Sequence, residues 1–63
     1  MVRYSYNGPV CEFGKLVQNR WSGETMAVSE SKARSNLIFQ WKKKNNRATN
    51  SKVTLPGKII MEG

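Results

Sequence analysis

A chain of 63 residues and 7.2 kDa has room for one domain, here residues 1–63. Eleven Lys and Arg stand against four Glu, with no Asp and no His, so the formal net charge is +7. One Cys and no His exclude a zinc site, a Ser-His-Asp triad and a Cys-His pair, and the missing Asp removes the usual calcium and two-metal sites.

The first half reads as strands. Val2, Tyr4 and Tyr6 alternate with Arg3, Ser5 and Asn7, a period of two. Asn7-Gly8-Pro9 predicts a break. A second strand is expected from about Val10 to Gln18, with Gly14 marking a bulge. Asn19 to Gly23 reads as the next turn, and Glu24 to Val28 as a short third strand. Short connections make a three-stranded antiparallel meander the economical topology.

A helix is predicted next. Ser29 is a good N-cap, and Glu30 suits the positive end of the helix dipole. From Glu30 to about Asn45 there is no Gly or Pro, and Ala33, Leu37, Ile38 and Trp41 share one stripe. Lys42-Lys43-Lys44 favour the C-terminal end, and Asn45-Asn46 supplies a left-handed stop. Residues 46–52 are a polar loop. A last strand runs from Val53 to Met61, interrupted at Pro56-Gly57. The fold class is therefore α+β, a small antiparallel sheet (meander plus C-terminal strand) packed on one helix, in the order β-β-β-α-β.

Charge is divided unevenly along this framework. Residues 1–31 carry three cations and three Glu, whereas residues 32–63 carry eight cations and Glu62 alone. Clustered Lys and Arg are rewarded by phosphate backbones through counterion release. On a helical projection Lys32, Phe39, Lys42, Lys43 and Asn46 spread over about 100° opposite the core stripe. An aromatic among cations suits nucleic acid, with Phe39 stacking or wedging and lysines on phosphates. The competing reading is a solvated face on which Phe39 packs under lysine stems. Candidate binding residues are Lys32, Phe39, Lys42, Lys43, Lys44 and Arg47, with Arg34, Lys52 and Lys58 as secondary basic contacts. Tyr4, Tyr6 and Trp21 supply either core bulk or, if their sheet face points away from the helix, an aromatic platform beside Arg20.

No catalytic role is expected, since the four Glu fall on different elements. No cofactor, metal or small-molecule substrate is expected either. The N-terminus has no apolar stretch of signal-peptide length, and no apolar run exceeds three residues, so a soluble cytoplasmic protein without a membrane partner is anticipated. The lone Cys11 points the same way and reads as a small buried residue. DNA or RNA is the leading partner. The alternative is a protein-interaction module docking on an acidic protein, with the edge near Pro56 open to a partner strand.

Two blocks, residues 23–37 (GETMAVSESKARSNL) and residues 54–59 (TLPGKI), with Phe13-Gly14 and Trp21, resemble short proteins encoded by phages and integrative elements of Gram-positive bacteria. The resemblance implies a mobile-element setting and transfers no activity. A meander followed by a capped helix is also similar to the arm-binding domain of phage-type integrases. Ser31-Lys32-Ala33-Arg34 is similar to the start of the last helix in double-stranded-RNA-binding domains.

Overall fold

A computed structural model of the chain describes residues 1–48 and 50–62. The expected antiparallel sheet of four strands packed with one helix is present. In chain order the elements are β1 (Val2–Glu12), β2 (Lys15–Ala27), α1 (Glu30–Lys44), β3 (Val53–Thr54) and β4 (Ile59–Met61). Strand β1 is central, with β2 along one side and both β3 and β4 along the other. Glu12 faces Val53 and Tyr4 faces Met61, so β3 and β4 keep one register and behave as one strand interrupted over residues 55–58.

The turns of the first half fall elsewhere than the sequence suggests. The chain passes straight through Asn7-Gly8-Pro9, which lies inside β1. A central strand tolerates Pro9 because the sheet opens on both sides of it. The β1–β2 register shifts between Gly8 and Val10, and the interruption in the β3–β4 strand lies opposite. The turn signal at Asn19 to Gly23 is also absorbed into β2, which gains two residues on β1 through consecutive bulges. The reversal itself occurs at Phe13-Gly14, where both φ angles are positive, 53° and 80°. A two-residue connection of that kind is the type I′ hairpin turn.

Helix α1 matches its local signals. The Ser29 hydroxyl accepts from the Lys32 amide at 3.3 Å, and Glu30 occupies the first turn. At the other end Asn46 is left-handed (φ 56°), the Arg47 amide donates to the Lys42 carbonyl and the Asn46 amide to the Lys43 carbonyl. That pair of bonds is a Schellman ending.

Ala33, Leu37 and Trp41 of α1 are buried against Tyr4, Tyr6, Val10 and Ala27 of the hairpin and Val53, Leu55 and Ile59 beyond the helix. Tyr4 and Tyr6 therefore face the helix, and the aromatic-platform reading is withdrawn. Trp21 lies half-buried on the same side, 6.4 Å from the Tyr6 ring. Gly23 makes room for it, since a Cβ there would stand 2.5 Å from the indole. Cys11 is half-buried and free.

Tyr6 closes the gap in the outer strand. Its hydroxyl donates to the Pro9 carbonyl at 2.6 Å and accepts from the Gly57 amide at 3.0 Å. Tyr6→Phe removes both bonds and leaves a carbonyl and an amide unsatisfied, a loss of about 1–3 kcal/mol. The thermal midpoint should fall by roughly 5–20 °C for a domain of this size. An unchanged midpoint would show that this bridge contributes nothing.

The helix also seals both sides of the sheet. Asn36 and Gln40 donate to the Met26 and Glu24 carbonyls of β2, at 3.4 and 3.0 Å. Arg34 donates to the carbonyls of Leu55 and Gly57 in the interrupted strand. Side chains on the flanks of α1 thus occupy acceptors that a partner strand would need.

Candidate nucleic-acid interface

The outward face of α1 is set by the periodicity that buries its other face. Ala33, Leu37 and Trp41 fix the inner stripe, which leaves Lys32, Phe39 and Lys43 outside, with Lys42 half-buried at one flank. Phe39 is 56% exposed and lies at the centre of this group. Lys32 stands two turns before Phe39 on the same side, about 10 Å along the axis.

Two open hollows meet at Phe39. One is bordered by Phe39, Lys42, Lys43, Asn46 and Arg47. The other lies between Phe39 and Lys42 of the helix and Ser51, Lys52 and Val53 of the following segment. Lys52, read from the sequence as secondary, is thus joined to the helix face. The Lys52 carbonyl also accepts from the Phe13 amide at 2.8 Å, which brings the hairpin tip alongside.

The remaining cations are distributed differently. Arg47 is held 3.3 Å from the Glu12 carboxylate, with its guanidinium 5.6 Å from the centre of the Trp41 ring. It borders one hollow, yet its charge is partly offset, and it clamps the segment after the helix onto the core. Lys44 is exposed but lies two turns beyond Leu37, on the inner azimuth past the end of the packed core. Arg34 is committed to the carbonyls of residues 55 and 57. Lys58 sits exposed in the interruption between β3 and β4. The structure therefore brings together Lys32, Phe39, Lys42, Lys43 and Lys52, places Arg47 at their margin, and turns Lys44 and Arg34 away.

Sequence reasoning missed Phe13, which it placed in a strand. The side chain is 68% exposed at the hairpin tip, near exposed Leu16 and Val17. The available signal was Gly14 directly after it, which permits a two-residue reversal. Among the described residues no group of three or more His, Cys, Asp or Glu could hold a metal, and no helix is long and apolar enough to cross a membrane. No protein family, no curated protein and no solved structure matches the chain.

Proposed function

We propose that this chain is a small, non-catalytic nucleic-acid-binding protein, an accessory factor of a mobile element. It holds DNA or RNA through phosphate contacts with weak sequence preference. The observation that carries the reading is Phe39, more than half exposed in the midst of Lys32, Lys42 and Lys43 and separated from Lys52 by an open hollow. Core packing does not require a large apolar ring there, and lysines around such a ring offer a base a stacking surface and its phosphates counter-charges. The Glu12 carboxylate is paired with Arg47. The rival reading, an acidic protein docking by strand addition, is less well supported, because Arg34, Asn36 and Gln40 already occupy carbonyls on both sides of the sheet.

Titration of the protein against labelled mixed-sequence DNA at 50 and 200 mM salt tests the reading. With about four phosphate contacts, affinity should fall on the order of 50- to 150-fold across that interval. Affinity that ignores salt, or absence of binding at 50 mM, removes the electrostatic account.

A further inference from the structure

The tip of the β1–β2 hairpin has a residue that its backbone does not favour. Phe13 occupies the first position of a type I′ turn with φ 53°, where a bulky side chain is disfavoured and Asn or Gly is preferred. Burial does not compensate for this, because the ring is 68% exposed. The backbone contact made here, from the Phe13 amide to the Lys52 carbonyl, is indifferent to the side chain. The ring therefore contributes little to the fold that Asn would not contribute better.

Its neighbours indicate a use. Phe13 is tied to Lys52, Lys52 borders the hollow shared with Lys42 and Phe39, and Lys15 follows the turn. The order of contacts therefore runs from Phe13, through the Lys52 backbone, to the hollow that Lys52 and Lys42 share with Phe39. From this order we infer that the surface takes a single-stranded nucleic acid, with Phe13 and Phe39 as stacking points for two unpaired bases and the lysines between them on the intervening phosphates. The inference rests on the proposed function and narrows its ligand. Charge complementarity selects a polyanion, and two separated rings select one whose base faces are open. A duplex would first have to be unstacked to offer those faces.

The test uses the full chain, its Phe13→Asn and Phe39→Ala variants, and two labelled probes: oligothymidylate of about 15 nucleotides and a DNA duplex of equal length. Binding is followed by fluorescence polarisation across a salt series, and folding by thermal melting. Phe13→Asn creates the favoured Asn-Gly turn, so it should melt at or above the parent temperature. The parent should prefer the single strand. Each variant should bind that strand roughly five- to hundredfold more weakly, with an unchanged salt slope because no charge has been altered. Parent-like binding of oligothymidylate by either variant, or a parental preference for duplex, overturns the inference and leaves the broader function standing if binding still falls with salt. A parent protein that binds neither probe overturns both.

Discussion

Trp41→Ala is expected to abolish the cooperative thermal transition, or to lower its midpoint by tens of degrees. Trp41 is the largest fully enclosed side chain and is only 2% exposed. Replacing a buried Trp with Ala typically costs about 3–5 kcal/mol through lost transfer energy and the cavity left behind. A chain of this length has a total stability of roughly 3–9 kcal/mol, because its core is small relative to its surface. The ring also organises its surroundings. Its Nε1 donates to Gln18 Oε1 at 2.9 Å, which joins the helix to the bulged part of β2, and its face receives Arg47. Loss of the ring therefore also releases the segment that Arg47 and Glu12 hold together. Trp41→Phe keeps most of the packing and loses the indole N–H, so it should be markedly less damaging. Circular dichroism melting of both variants checks this, and an alanine variant melting within a few degrees of the parent would contradict the described core.

The second large effect concerns binding. Replacing Lys32, Lys42 and Lys43 together with Gln should leave the fold intact and weaken nucleic-acid binding roughly 10²–10³-fold at 50 mM salt. Lys32 and Lys43 project into solvent, and Gln retains much of the stem where Lys42 lies half-buried. Three such contacts carry about two units of salt slope, which at low salt amounts to about two to three decades of affinity. Lys44→Gln serves as the internal comparison. It removes a charge from the same triplet but from the inner azimuth, so its effect should be several-fold smaller than that of Lys43→Gln. Equal losses at positions 43 and 44 would mean that overall charge, rather than the helix face, governs binding.

The elements that were legible in the sequence are those set by local chemistry. Ser29, Glu30 and the Asn45-Asn46 stop define the helix with groups that lie within one turn of its ends. The apolar spacing of Ala33, Leu37 and Trp41 defines its inner face, and hence the outward placement of Lys32, Phe39 and Lys43. What was not legible depends on partners distant in the chain. Gly8-Pro9 carries a strong turn signal, yet it becomes part of a central strand because the register shift against β2 on one side and the break at residues 55–58 on the other leave no ladder bond there that needs the missing Pro9 amide. Phe13 carries no turn signal, yet it reverses the chain because Gly14 follows it and the strands on either side zip together. For the candidate site, the helical lysines were visible from periodicity, whereas the commitments of Arg34 to the carbonyls of Leu55 and Gly57 and of Arg47 to Glu12 span 21 to 35 positions and have no local trace. The inclusion of Lys52 required the loop to fold back beside α1.

Phosphate contact by the outward face of α1, as proposed, is read from the salt slope of binding. Each lysine that contacts a phosphate contributes about 0.7–0.9 to the slope of log affinity against log salt. The triple Lys32, Lys42 and Lys43 to Gln variant, folded as judged by its melting curve, is expected to have a slope shallower than the parent's by about 2. A folded triple variant with the parent's slope would contradict phosphate contact by this face.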